Sequence, residues 1–393
     1  MQLSRKISGL SPSQTLVITK KAQDLKKSGK DTVILCAGEP DFPTPLPVAE
    51  AGIKAIRDGK TKYTANPGII ELREAIAEKL LTENGLKYSP DEIIVTNGAK
   101  QAIYNGFRCL LNSGDEVLVP SPCWVSYVEQ IKLAHGIPTL VFGASVKPQA
   151  EEMARKITSK TTALIINSPN NPVGYIYNKQ ELIEIARLCQ ERDLILLSDE
   201  IYEKIIFDDN KHFSPPALVP EIRNRTLLIN GFSKAFSMTG WRIGYAAGPK
   251  DMITLLNRIQ SHQTSNACTI SQYAALEGLK NPEVQLEVRK MVKTFSERRD
   301  YFTSELDKIP HLSYYKPEGA FYVFVKVDHY YNQEIRNSNE LCNWLLDEFM
   351  LAVVPGESFF SEEYIRISFA ASWEELEKGL VRLKKALGRL SQK

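Results

Sequence analysis

The sequence predicts an α/β protein: a largely parallel sheet covered by helices, with a second, smaller α/β unit toward the C-terminus. Three observations predict it. The chain has 393 residues, more than one hydrophobic core ordinarily supports. Up to about residue 250, short apolar runs bounded by turn formers alternate with helical patterns, the signature of strands joined by helical crossovers. A long helical pattern then leads to a separate group of short strands.

The elements follow in order. Ser11-Pro12-Ser13-Gln14 reads as a capping box, with Ile18, Ala22 and Leu25 repeating at helical spacing until Gly29. Thr32 to Leu35 predicts a short strand. Gly38 to Pro47 contains four prolines and predicts a rigid loop, since no helix tolerates that density. Strands are expected at Ile93 to Thr96, Glu116 to Val119, Ala163 to Asn167, Leu194 to Ser198 and Thr226 to Asn230, with a helix over Lys179 to Arg192 between two of them. Asn281-Pro282 opens a helix running to about Ile309. Beyond it, Phe321 to Val327, Val353-Val354 and Tyr364 to Phe369 predict the smaller unit's strands.

Composition narrows the function. Lys and Arg number 49 against 47 Asp and Glu, a formal charge of +2, so no basic surplus points to nucleic acid. No apolar run has membrane-spanning length, and Met1 to Leu10 is polar, so a cytoplasmic protein is expected. The six cysteines lack metal or redox spacing and the five histidines lack a zinc-protease pattern, so no bound metal is expected.

Three polar clusters fall where open sheets bind ligands, beyond the carboxyl ends of strands. Asn97-Gly98-Ala99-Lys100 enters a helix, whose free N–H groups and dipole favour an anion, although a turn needs a glycine there in any case. Asp199-Glu200-Ile201-Tyr202 ends a very apolar strand; a buried Asp199 needs a cationic partner, either a salt bridge or a protonated ring nitrogen. Gly231-Phe232-Ser233-Lys234 ends another strand, with Arg242 beyond it. A lysine there is either solvated or, if buried, an amine nucleophile. Further on, Tyr364, Arg366 and Ser368 share one strand face and Ile365, Ile367 and Phe369 the other.

Together these residues resemble a known family. Gly231-Phe232-Ser233-Lys234 with Arg242 eight residues on is similar to the lysine signature of class I/II pyridoxal-phosphate-dependent aminotransferases. The likeness extends to Gly38-Glu39-Pro40-Asp41-Phe42, Lys62-Tyr63, Ser121-Pro122-Cys123-Trp124, Ser168 to Gly174, Ser198 to Tyr202 and Tyr364 to Ser368. It covers nearly the whole chain and is nearest to the bacterial and archaeal aspartate aminotransferase subgroup.

The resemblance implies fold type I: a large domain (46–285) with a mostly parallel seven-stranded sheet between helices, and a small α/β domain formed by both chain ends (1–45 and 286–393). It implies pyridoxal 5'-phosphate as cofactor, held by Lys234 as a Schiff base, with Lys234 also carrying a proton. Asp199 would pair with the ring nitrogen. Tyr202 and Asn171 would bond the ring's phenolate oxygen. Gly98, Ala99, Lys100, Ser233 and Arg242 would hold the phosphate, and Trp124 would stack on the ring. Arg366 would take the substrate α-carboxylate, aided by Gly38, Asn171 and Trp124. Tyr63 would reach the phosphate of a neighbouring subunit, implying a homodimer with shared sites. Asn171-Pro172 is a candidate cis bond.

In the resembled subgroup, residues at Lys100 and Thr15 are associated with the distal carboxylate of aspartate. That leaves Lys100 three roles: phosphate ligand, substrate ligand or solvated residue. The expected reaction moves the amino group of L-aspartate to 2-oxoglutarate by a ping-pong route, giving oxaloacetate and L-glutamate. Alternatives are an aromatic, kynurenine or prephenate aminotransferase, a related C–S lyase, or a non-catalytic cofactor-binding regulator.

Overall fold

The computed structural model describes the backbone of residues 14–391 and the side chains of 16–391. Ser11, and with it the expected capping box, lies outside the described residues, as does the Thr15 side chain. Helix α1 (Gln14–Lys27) follows and is closed by Gly29 in a left-handed conformation (φ +86°).

The main sheet has seven strands: β2 (Ile93–Thr96), β3 (Glu116–Ser121), β4 (Ile137–Phe142), β5 (Thr161–Asn167), β6 (Ile195–Asp199), β7 (Thr226–Gly231) and β8 (Gly244–Ala247). Their spatial order is β2-β8-β7-β6-β5-β3-β4. Only β8 runs antiparallel to its neighbours. The five strands expected from apolar runs are all present, within two residues of the expected bounds. Every residue of β2, β7 and β8 is buried, as a sheet covered on both faces requires.

Two strands had no clear pattern in the sequence. Strand β4 is an edge strand, half exposed and carrying Pro138, so it shows no continuous apolar run. Strand β8 is Gly-Tyr-Ala-Ala, short and poor in strand-forming side chains.

Helices α2 (Leu46–Arg57) and α3 (Ile70–Asn84) precede β2, and α4 (Ala99–Leu110) leaves it. Helix α5 (Val125–Leu133) follows β3, and α6 (Lys179–Glu191) leads into β6. The start of α6 is set by the Asn178 side chain, which accepts the Glu181 N–H in a capping box. The long helix α7 (Pro282–Leu306) begins as expected, with Asn281 capping it and Pro282 in its first turn, but ends three residues before Ile309.

The remaining strands form two small sheets. Strand β1 (Val33–Ile34) pairs in parallel with β11 (Leu351–Ala352). Strands β9 (Ser313–Tyr314), β10 (Tyr322–Lys326), β12 (Val354–Pro355) and β13 (Tyr364–Ser368) form an antiparallel sheet in the order β12-β13-β10-β9. The run expected at Val353-Val354 is split, because Leu351–Ala352 and Val354–Pro355 serve different sheets. No helix among the described residues is long and apolar enough to cross a membrane.

Candidate active site

The carboxyl ends of β2, β3, β5, β6 and β7 open onto one cavity of about 430 Å³. Its lining includes Gly38, Ala99, Lys100, Trp124, Asn171, Asp199, Tyr202, Ser233, Lys234, Arg242 and Arg366. The sheet thus gathers nearly every residue singled out in the sequence. Gly98 stands just behind Ala99 as N-cap of α4. Tyr63 points elsewhere, 87% exposed.

At the β2 end, Gly98 has φ +79°, a conformation natural only to glycine. A Cβ there would also sit 2.7 Å from Arg242 Nη2, and one on Gly244 would sit 2.5 Å from Ala99 N. Two glycines therefore let the start of α4 and the Arg242 guanidinium crowd together. The first-turn N–H groups of Ala99 and Lys100 have no carbonyl within the helix to bond. The result is a cradle of backbone donors beside a guanidinium, suited to a phosphate.

At the β6 end, Asp199 is 2% exposed. Its carboxylate accepts the Tyr127 hydroxyl at 2.5 Å and the Ile201 N–H at 3.2 Å, and among the described residues it has no ion pair. Burial pushes its carboxyl up to about 6, against those hydrogen bonds and the charge of Lys234. A salt bridge, the simpler expectation for this residue, is not what the structure shows. A buried carboxylate lacking a cation, aimed into a cavity, suits a protonated ring nitrogen.

At the β7 end, Lys234 Nζ donates to Gly38 O at 2.7 Å. The residue keeps some exposure along the cavity wall, but its ammonium is enclosed. Burial pushes it down to about 8; Arg366 and Arg242 add to the lowering, while Glu39 and Asp199 oppose it. It is not a solvated surface lysine. It is an amine within reach of its neutral, nucleophilic form near physiological pH.

Opposite stands Arg366 of β13, 2% exposed. It donates to Asn171 Oδ1 at 2.9 Å and to Cys36 O at 3.2 Å, and its Nε has no hydrogen-bond partner among the described residues. Of five guanidinium N–H groups, these bonds occupy two, leaving enough for a carboxylate fork. The Asn171-Pro172 bond is cis, as expected, and so are Ser121-Pro122 and Ser168-Pro169. Lys100 Nζ lies 4.8 Å from the Trp124 ring centroid; partial burial, then Arg242, lowers its ammonium.

Sequence reasoning missed several residues. Tyr127 lies one helical turn after Trp124, a spacing that signals a shared face but not its bond to Asp199. Tyr322 shares a face of β10 with Phe324, but only the structure brings its hydroxyl to 3.0 Å from that of Tyr202. Glu39 accepts the Thr239 hydroxyl at 2.8 Å across the cavity mouth. Behind Asp199, Glu200 accepts from Ser198 and Ser214 and pairs with His212. His212, Glu200 and Glu203 form a compact group, already bonded internally and to Lys79.

A cradle of backbone donors suited to an anion, a buried carboxylate without an ion pair among the described residues and an enclosed amine thus meet on one cavity. The chain belongs to the class I and II aminotransferases, whose family model matches residues 30–383, a family that uses pyridoxal phosphate. It is 46% identical over 388 residues to a probable aspartate/prephenate aminotransferase of Aquifex aeolicus, covering 98% of each chain. It is 42% identical over 389 residues to an aspartate aminotransferase of Bacillus subtilis, again covering 98% of each. Among solved structures, the aspartate aminotransferase from Thermus thermophilus with maleate aligns with a TM-score of 0.93 at 42% identity, over 98% of this chain and 100% of that one.

Proposed function

We propose that the protein transfers the amino group of L-aspartate to 2-oxoglutarate, giving oxaloacetate and L-glutamate, with pyridoxal 5'-phosphate held by Lys234. The observation that carries this reading is the convergence on one cavity of the Lys234 amine, the unpaired Asp199 carboxylate and the Arg366 fork.

When bound, the cofactor supplies an electron sink for negative charge at the substrate Cα. Asp199 would keep the ring nitrogen protonated. Tyr202 Oη and Asn171 Nδ2 would donate to the ring's phenolate oxygen; Asn171 Oδ1 is already committed to Arg366, which orients the amide. The Ala99 and Lys100 N–H groups at Gly98, with Ser233 and Arg242, would hold the phosphate, and Trp124 would cover the ring. Arg366 binds the α-carboxylate beside Gly38, fixing the Cα within reach of Lys234 Nζ, which moves its proton.

The amine must be neutral to attach a carbonyl. Attachment to cofactor-stripped protein should therefore slow about tenfold per pH unit below 8 and level off above it. An ordinary lysine would keep accelerating past pH 10. Stopped-flow absorbance across pH 6–10 distinguishes the two profiles.

Lys100, on the cavity wall beside Trp124, and Thr15, on the helix that reaches the cavity through Leu16 and Thr19, are assigned to the distal carboxylate. Lys100→Ala is expected to raise the KM for aspartate about tenfold, as for one lost charged hydrogen bond, with little change for alanine. Equal losses for both would move Lys100 to the phosphate.

A homodimer with shared sites is part of the reading. Leu46, Ile53 and Ile56 expose apolar side chains along α2, and Tyr63 beyond them is almost fully exposed. A row of this kind suits a subunit contact that carries Tyr63 to the partner's phosphate. A division into a large domain (46–285) and a small one from both ends is supported by the sheets, since all seven strands of the main sheet lie within 93–247. A cytoplasmic location completes the proposal.

The deciding experiment adds L-aspartate alone and follows cofactor absorbance. Conversion to the amino form of the cofactor, reversed by 2-oxoglutarate, is expected. Conversion by tyrosine or kynurenine but not aspartate would overturn the substrate, and keto acid released without amino transfer would indicate a lyase. Absence of any cofactor absorbance after reconstitution would overturn the reading of Lys234.

A further inference from the structure

We propose that Tyr322 is a positioning residue that acts on both binding groups of the cavity: its hydroxyl donates to Tyr202, committing Tyr202 to donate to the cofactor's ring oxygen, and its ring face seats Arg366. The inference rests on the reading of the cavity given above and adds to it a residue with no assigned role.

Tyr322 opens β10, is 1% exposed and lines the cavity. Its Oη lies 3.0 Å from Tyr202 Oη, and either oxygen can donate. The Tyr322 hydroxyl has no other hydrogen-bond partner among the described residues. On its ring face, the Arg366 guanidinium carbon stands 4.2 Å from the centroid; the Phe359 ring lies 4.9 Å from the same carbon. The register of β10 against β13 explains the contact. Phe324 is directly opposite Arg366 and Tyr322 opposite Ser368, so Tyr322 is the diagonal neighbour two residues away, within reach of a long side chain.

Two phenols that share one hydrogen bond have two protons between them. One lies along the Oη···Oη line and the other is free to point into the cavity. An acceptor beside Tyr202 therefore selects the chain Tyr322 to Tyr202 to acceptor, and each bond in such a chain polarises the next. Burial raises both hydroxyls, and the Arg366 guanidinium opposes the rise at each, so both phenols keep their protons and the acceptor in the cavity sets the direction of the chain. Gly38 leaves room for the hydroxyl, since a Cβ there would meet Tyr322 Oη at 3.3 Å.

The two functions separate experimentally in the holoenzyme. A Tyr202 that donates strongly to the ring oxygen lowers the pH at which the cofactor's lysine linkage loses its proton, visible as the midpoint of its absorbance change with pH. Tyr322→Phe removes the hydroxyl and keeps the ring. Its absorbance midpoint should rise by on the order of half a pH unit, the size expected from losing one neutral bond of a chain, with KM for the amino donor within about twofold of the parent. Tyr322→Leu removes both, and should add a KM increase of about tenfold, corresponding to a desolvated cation–π contact. In a Tyr202→Phe background, Tyr322→Phe should move the midpoint no further.

An unchanged or lowered midpoint in Tyr322→Phe would overturn the hydroxyl's role, as would an equal shift with Tyr202 already replaced. A KM loss as large in Tyr322→Phe as in Tyr322→Leu would overturn the ring's role. If Tyr322→Leu does not fold, the Phe variant and the double variant still decide the first part, and Tyr322→Trp, which keeps an aromatic face, decides the second by retaining KM. A parent enzyme with no titrating absorbance would mean instead that the underlying cofactor reading has failed, and this is seen before any variant is made.

Discussion

Lys234→Ala is expected to lower kcat at least about 10⁴-fold, the upper end of what a positioned proton carrier contributes, because the covalent anchor is lost as well. The pocket should survive the change. The phosphate cradle is built from backbone at Gly98, Ala99 and Gly244 together with Arg242, and Asp199 is held by Tyr127 and the Ile201 N–H; none of these bonds uses Lys234. The side chain's own direct hydrogen bond is to Gly38 O. The variant should therefore retain cofactor noncovalently through gel filtration while losing the absorbance of the lysine linkage. Added methylamine, supplying an amine of similar chemistry, should restore a small part of the rate. Sustained multiple turnover without added amine would remove Lys234 from its assigned place.

Arg366→Lys should cost the next largest factor, about 10² to 10³ in kcat/KM for aspartate. The charge is kept, so a simple electrostatic role would survive the change. A lysine cannot span Asn171 Oδ1 and Cys36 O while presenting two parallel N–H groups to a carboxylate. Losing one or two charged hydrogen bonds accounts for the factor, at about 1.5–3 kcal/mol each. Because Asn171 also loses its orienting donor, kcat should fall along with the rise in KM. Steady-state kinetics with aspartate and with an amine lacking the α-carboxylate provide the check: the second substrate should show the smaller kcat loss that follows from Asn171 but not the rise in KM. Comparable losses for both would mean that Arg366 serves the fold and not the substrate.

Much of this site was legible because its residues sit at chain positions with strong local rules. Asp199, Lys234 and Gly98 all follow apolar strands, and the carboxyl edge of a parallel sheet is where such strands deliver polar residues. Arg366 was legible from alternation along its strand. Tyr322 was not, because its significance depends on a diagonal pairing between β10 and β13 that no local pattern encodes. Tyr127 was hidden for a different reason: a tyrosine on an apolar helix face reads as core until its hydroxyl is found on Asp199. Among the strands, β8 escaped notice since its alanines and glycine carry little preference, although Gly244 is one of the residues that shape the phosphate cradle. Thr15 and Ser11 lie where the structure offers no side-chain description.

The parallel pairing of Val33–Ile34 with Leu351–Ala352 bears on how the protein is made. During synthesis the segment carrying Gly38 is made before the central sheet, whereas the strand it pairs with, the Ser368 N–H that bonds Leu35 O and the Arg382 side chain that bonds Asp31 are made only after it. The central sheet can form while that segment waits unpaired. A chain released before about residue 350 would possess Lys234 and Asp199 but neither Arg366 nor an anchor for Gly38. On the roles proposed above, an unfinished copy would hold the Lys234 amine and the Asp199 carboxylate without the guanidinium that selects what they act on.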